Sequence, residues 1–271
     1  MKMTKVDYAQ EIASRVGGEV REVEKANGVV LTGITLVTNS NVQPTLYIDD
    51  MYRNDVPVDE AVDKVNDAFR NANKKIDIDW ITDYEVVKDK LTARLFNKRT
   101  SADVSRSAKD YGFDDLIIVP YIVMKDIGGA CKVTAHMLGN WGVTEDEVID
   151  TALQNSANEY TVGDMMTMLF GDGPVYRNFD DVEDVNNMLV VSNLDKSFGA
   201  IGVVVAKDAM DRKYENGYVV IPSSVHECIV LPYNGNENAF NSMVADVNEQ
   251  EVAAEEVLSD HAYFFRGVGV A

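Results

Sequence analysis

The chain has 271 residues, 46% of them hydrophobic and 26% charged, and a net charge of −20. That length can bury one large core or two modest ones. There is no run of about 18 apolar residues, no apolar signal-peptide core after Met1, and no C-x-x-C pair between the distant Cys131 and Cys228. These absences exclude a membrane-spanning helix and a disulfide or zinc-knuckle scaffold, and point to a cytoplasmic protein.

The elements are predicted as follows. Residues 6–16 form an amphipathic helix with Val6, Ile12, Ala13 and Val16 on one side, stopped by Gly17-Gly18. Residues 19–24 and 29–37 form strands around Lys25-Ala-Asn-Gly28, because Asn-Gly between β-rich runs is a hairpin signal. A third strand covers 44–48. A helix follows Pro57, with Ala61, Val62, Val65, Ala68, Phe69 and Ala72 on its buried face. Residues 85–97 carry both strand and helix signals. Residues 116–124 form a strand that Pro120 places at an edge or a bulge, with 130–138 as its antiparallel partner. Thr144-Glu-Asp-Glu147 is a capping box opening a helix that buries Val148, Ile149, Ala152 and Leu153.

Residues 161–170 are methionine-rich and read as a helix. Strands are expected at 188–192 and 199–205, and a short helix at 207–214. One long strand is expected at 218–231, a helix around Phe240 to Val247, another helical turn at 252–258, and a last strand at 262–265. Without a regular βαβ rhythm the class is α+β, with mixed or antiparallel sheets and packed helices. A composition break near 98–112 suggests two lobes, 1–100 and 101–271, sharing one core.

Charge is uneven. Residues 1–100 carry a net of −2 and residues 101–271 a net of −18. Between Val143 and Asp184 eleven acids face one base, Arg177; between Glu237 and Asp260 there are seven acids and no base. Such a field repels phosphate backbones, so no direct nucleic-acid contact is expected. A solvated surface accounts for most acidic stretches. A basic protein partner is the functional reading, with Asp180, Asp181, Glu183 and Asp184 as candidate contacts.

The segment Ile221-Pro-Ser-Ser-Val-His-Glu227 holds one of only three histidines. Ser224, His226 and Glu227 are the candidate catalytic residues of a hydrolase-like or metal-dependent enzyme. In a regular strand, however, Ser224, His226 and Cys228 share one face and Glu227 the other. Neighbours two apart lie about 6.5–7 Å from each other, a poor spacing for a dyad. A metal would need His226 with His136 or His261 and an acid such as Asp260. The plainer readings are a bulge at Ser223-Ser224, a cap at Ser259-Asp-His261, a core role for His136, an inert buried Cys228, and packing anchors at Trp80 and Trp141. There is no G-x-S-x-G elbow and no P-loop, and Gly171-Asp-Gly173 and Asp180-Asp-Val-Glu-Asp184 fit neither a phosphate loop nor an EF-hand, so no cofactor is expected.

Asn27-Gly-Val-Val-Leu-Thr-Gly-Ile, Gln43-Pro-Thr-Leu-Tyr-Ile-Asp, Asn140-Trp-Gly-Val-Thr-Glu-Asp-Glu, Met188-Leu-Val-Val-Ser-Asn with Gly199-Ala, Ile221-Pro-Ser-Ser-Val-His-Glu and Val257-Leu-Ser-Asp-His-Ala-Tyr occur in this order. Over nearly its whole length the chain resembles a bacterial family of unknown function, common in Gram-positive gut bacteria and mobile genetic elements. The chain departs from that pattern in its acidity after residue 140 and in Ile117-Ile-Val-Pro. The resemblance implies no activity. It implies that the Pro-Ser-Ser-x-His-Glu segment belongs to the family pattern. The leading expectation is an accessory protein of a mobile element that binds a protein through its acidic C-terminal surface. The enzyme reading and a nucleic-acid mimic, which would need acids spaced along a ridge, are the alternatives.

Overall fold

A computed structural model describes residues 3–37, 43–70, 77–171 and 173–267, and the chain divides into two compact units, Met1–Asp79 and Trp80–Ala271. In the first unit the elements are α1 (Lys5–Val16), β1 (Gly18–Glu24), β2 (Val30–Leu36), β3 (Thr45–Tyr47), α2 (Asp49–Arg53) and α3 (Val58–Phe69). Local signals set their ends. Thr4 Oγ1 accepts from the Asp7 N–H, and Gly17 ends α1 at φ 70°. Asn27 (φ 61°) and Gly28 (φ 70°) turn the chain between β1 and β2, which pair antiparallel from Gly18↔Leu36 to Glu24↔Val30.

The core of this unit is Tyr8, Ala9, Ile12, Ala13, Ile34, Ile48, Ala61, Val65 and Phe69, all drawn from within it. The buried face of α1 centres on Tyr8 and Ile12, and Val6 is exposed, because the helix turns Tyr8 inward to bond the Val56 carbonyl at 2.9 Å. Ala72, expected on the α3 face, lies outside the described residues.

The second unit continues with α4 (Tyr84–Val87), β4 (Leu91–Asn97), β5 (Arg106–Ser107), β6 (Leu116–Met124), β7 (Gly129–Lys132), α5 (Ala135–Trp141) and α6 (Glu145–Ala157). The segment 80–100 belongs here and not with the first unit because β4 pairs residue for residue with β6, Leu91↔Ile122 through Asn97↔Leu116. Pro120 is not at an edge: β4 lines one side of β6, and β5 and β7 share the other. The proline is tolerated because its missing N–H falls where the partner changes. β5 stops opposite Ile117 and Ile118, and β7 begins at Tyr121↔Lys132. The Pro120 carbonyl still accepts from the Val133 N–H at 3.0 Å. The expected strand 130–138 therefore stops at Lys132, and Thr134 caps α5 instead. Helix α6 starts at the Thr144 cap and covers β4, with Ser156 Oγ accepting the Ala93 N–H at 2.9 Å.

The remaining elements are β8 (Tyr160–Asp164), α7 (Met165–Phe170), β9 (Val175–Tyr176), β10 (Leu189–Asn193), α8 (Gly202–Val205), α9 (Lys207–Lys213), β11 (Gly217–Ser224), β12 (Glu227–Pro232), α10 (Glu237–Gln250) and β13 (Tyr263–Arg266). The strands form one antiparallel sheet in the order β13-β11-β12-β10-β8-β9. Every strand pairing among the described residues is antiparallel, and the fold is α+β.

Four expectations fail here, three of them for identifiable reasons. Residues 160–164 are a strand between β10 and β9, and Asp164 caps the short α7 that follows. Residues 199–205 are helical although apolar and β-branched, because Gly199 and Gly202 press onto β10. A Cβ at Gly199 would meet the Asn193 nitrogen at 2.4 Å, and one at Gly202 the Val191 side chain at 2.6 Å. Residues 218–231 are a hairpin, not one strand, with Val225 and His226 at its turn. Residues 252–258 form turns with no helix. Among the described residues no helix is long and apolar enough to cross a membrane.

Candidate functional site

The turn between β11 and β12 removes the side-chain alternation on which the dyad argument rests. The register slips between Pro222↔Cys228 and Ser224↔Glu227, so one extra residue is absorbed at Ser223. Ser224 Oγ accepts the His226 backbone N–H at 3.1 Å. The hydroxyl thus serves the turn. Val225 is buried; its N–H donates to the Glu256 carbonyl at 3.0 Å, and its carbonyl accepts from Ala200. The His226 carbonyl accepts from the Gly199 N–H (3.0 Å) and from Ser192 Oγ (2.9 Å).

The His226 ring is fully engaged. Nδ1 accepts the Phe198 backbone N–H at 3.0 Å. That fixes the neutral tautomer with its proton on Nε2, which faces Glu256 Oε1 at 3.3 Å. The acid beside the ring is therefore Glu256, not Glu227, which opens β12. A general base needs a ring nitrogen free to take a proton from a nucleophile or substrate. Here one nitrogen carries the proton and the other is spent on a backbone donor. The side chain retains 29% exposure, but its acceptor points into the protein.

What the ring does is hold Phe198. That residue takes a left-handed backbone (φ 54°), uncommon for a bulky side chain. The loop before it is tied by Asn193, whose side chain accepts from the Ser197 N–H (3.0 Å) and donates to the Ser197 carbonyl (2.8 Å). The Phe198 ring lies 5.1 Å from the His226 ring and 5.9 Å from Phe96, and the Arg94 guanidinium carbon sits 3.8 Å from its centre.

The other two histidines lie elsewhere. His136, expected in a strand core, is exposed on α5 beside Asn140, 3.2 Å away. His261 Nδ1 is 3.2 Å from Ser259 Oγ. Ser259 is fully buried and bonds Asp115 directly at 3.0 Å. Asp115 also accepts from Asn97 and Tyr263. The histidine does not stand between serine and acid, so the trio lacks triad order; Asp115 and Ser259 instead form a part-buried clasp joining the residue before β6, the end of β4 and the C-terminal segment. Asp260 turns outward toward Arg99 at 3.4 Å. Among the described residues no three His, Cys, Asp or Glu side chains converge as a metal-ligand set.

Both thiols are free, and burial pushes both upward, Cys228 most. Trp141 donates to the Ile81 carbonyl at 2.8 Å and packs on Tyr84, and Trp80 lies under Lys90.

The acidic candidates lie on a short turn and loop anchored by buried Phe179 and Val182. Asp180 pairs with Arg212 at 2.7 Å, and Asp184 accepts from the Asn186 N–H at 2.9 Å, while Asp181 and Glu183 face solvent. Asp172 lies outside the described residues. The stretch before this loop in sequence exposes large apolar side chains. Met166 is 61% and Phe170 69% exposed, and Val175 and Met188 are exposed beside them in sequence and strand pairing. The only sequence signal is methionine content, which predicts a helix over 161–170.

The sequence model of a family of unknown function (DUF5688) matches residues 2–267, and the chain belongs to that family. No curated protein and no solved structure matches it.

Proposed function

We propose, for this member of a family without known function, that the protein works by binding. Its partner is a basic, apolar segment of another protein that meets the acidic surface between residues 164 and 188. The observation that carries the reading is the pair Met166 and Phe170, left outside on α7 in a stretch whose only base is Arg177. Methionine adapts to varied apolar partners, and an acidic rim selects cationic ones. The accessory role in a mobile element comes from the resemblance alone and is carried here as part of the proposal. Asp180, Asp181, Glu183 and Asp184 lie on a turn and a loop, not along a ridge, which favours a protein partner over imitation of nucleic acid. The engaged nitrogens of His226 favour binding over catalysis at Ser224, His226 and Glu227.

The test uses the full chain and two synthetic helices, one of Leu and Lys and one of Leu and Glu, followed by calorimetry at low and high salt. The Leu/Lys helix binds, more weakly as salt rises. Phe170→Ser with Met166→Ser weakens binding about tenfold, the equivalent of one buried anchor. Neutralising Asp181 and Glu183 flattens the salt dependence. If the Leu/Lys helix binds the Ser double variant as it binds the wild type, or the Leu/Glu helix binds equally well, the reading fails.

A further inference from the structure

Among the described residues, Arg94 is a cation with a buried nitrogen that has no hydrogen-bond partner. Arg94 lies on β4 opposite Val119, with its guanidinium carbon 3.8 Å from the Phe198 ring centre and 4.2 Å from that of Tyr121. The two aromatic rings approach a planar group whose N–H donors lie around its rim. Its Nε is buried with no hydrogen-bond partner, and among the described residues no carboxylate reaches it within ion-pair distance. Burial alone lowers its proton affinity. A buried charge without a partner is costly, and every other buried polar side chain of the described residues except the Tyr214 hydroxyl has found one.

Arg94 lines a cavity of about 580 Å³, within the size range of small-molecule sites. The wall combines apolar Val123, Ala130 and Phe198 with three charges, Arg94, Lys125 and Asp195. Two cations and one acid leave the cavity with a net +1 in a chain of −20. Lys125 makes only a long contact, 3.7 Å, to Glu159. The wall is built before any ligand arrives. Phe198 is fixed in its left-handed conformation by the His226 ring, and Asn193 clamps the loop that carries it.

We propose that this cavity binds a small organic monocarboxylate, its carboxylate on the Arg94 guanidinium and its apolar body against Phe198 and Val123. The fork of an arginine matches the two oxygens of a carboxylate through parallel hydrogen bonds. A single net positive charge suits a monoanion better than a phosphate monoester, which carries close to two negative charges. His226 acts as a positioning residue for this site. It reaches the ligand only through Phe198, and that gives the hydrogen-bonded turn of the Pro-Ser-Ser-x-His-Glu segment a role. The site is independent of the acidic surface proposed above, so either can fail alone.

The test titrates the full chain with benzoate and hexanoate at millimolar concentration, with benzamide as the neutral isostere of benzoate and inorganic phosphate as the multiply charged control. Binding is read by calorimetry and by the ligand-induced rise in melting temperature. At least one carboxylate binds, benzamide does not, and Arg94→Met weakens binding about 10- to 100-fold, the loss expected for a charge-assisted pair. Arg94→Lys keeps the charge without the fork and also binds more weakly than the wild type. His226→Ala raises the dissociation constant of a chain that still melts cooperatively. The proposal is overturned if neither carboxylate binds the wild type, if benzamide binds as well as benzoate, if phosphate binds more tightly than both carboxylates, or if Arg94→Met binds as the wild type does.

Discussion

His226 and Arg94 belong to one unit and touch the same phenylalanine, yet their polar atoms are treated in opposite ways. Every polar atom of His226 is used: the backbone N–H by Ser224, the carbonyl by Gly199 and Ser192, Nδ1 by Phe198, Nε2 by Glu256. Arg94 has its guanidinium against two rings and keeps a buried nitrogen unpaired. The difference separates a residue that organises the fold from one that waits for something outside it. Satisfied groups lose stability when deleted; an unsatisfied one does not. That contrast can be measured.

The largest expected loss is at Asp115, which accepts from three residues drawn from distant parts of the chain. Asp115→Ala leaves Asn97, the fully buried Ser259 and Tyr263 without their carboxylate. Unsatisfied buried donors and a broken network together cost about 3 kcal/mol. Denaturant unfolding should show the midpoint falling with an unchanged slope. A loss under about 0.5 kcal/mol, the scale of a surface substitution, would mean the clasp is hydrated and the contrast is overstated.

His226→Ala comes next, with a loss of about 1–3 kcal/mol from the orphaned Phe198 N–H. The same change should release Phe198 from its left-handed conformation, visible as faster amide exchange at residues 197–199. If the exchange is unaffected, Asn193 alone holds the loop and His226 is not its anchor.

Much of this architecture was legible wherever the signal was local. The Thr144 cap, the Asn27-Gly28 turn and the stop at Gly17 needed only neighbours in sequence. The His226 turn was not legible, because neither Val225 nor His226 takes a positive φ and the sequence carries no Gly or Asn there. Its bonds come from Gly199, Ala200 and Glu256, all distant in sequence. For the same reason Gly199 to Val205 read as a strand, since its helix exists to fit two glycines against β10. Arg94 was invisible as a site. In Leu91-Thr-Ala-Arg-Leu-Phe-Asn97 it looks like any charged residue on an alternating strand. Only the packing of Tyr121 and Phe198 around it shows that it has no partner.

Cys228 gives a smaller effect, and a titratable one. It is fully buried on β12, two residues past His226, and burial holds its thiol well above the ordinary value. The native state therefore keeps a proton that the unfolded chain releases near pH 8.5. Stability from this group is complete below that pH and falls as pH rises, by about 1.4 kcal/mol per pH unit. Tyr218 and Tyr263, raised by burial and by their carboxylate partners, steepen the decline only above about pH 10. Between these limits the difference between wild type and Cys228→Val isolates the thiol. Equal pH slopes for the two chains would show that water reaches it.

Arg94→Met in the ligand-free protein is the smallest expected change and the most discriminating. The substitution removes the ring contacts of the guanidinium, worth about 0.5–2 kcal/mol at a shielded site. It also removes the desolvation cost of a half-buried charge that has no counter-ion. The methionine stem refills the space between Tyr121 and Phe198 with a polarisable group that packs well on rings. The two large terms oppose each other, and the second is the greater for an unpaired ion. The melting temperature should therefore stay level or rise, in contrast to the falls expected at Asp115 and His226. A clear fall would place Arg94 with the satisfied groups, as a residue the fold needs. A level or higher value would show a chain that gives up nothing in stability when this cation is lost, and so keeps it for another purpose.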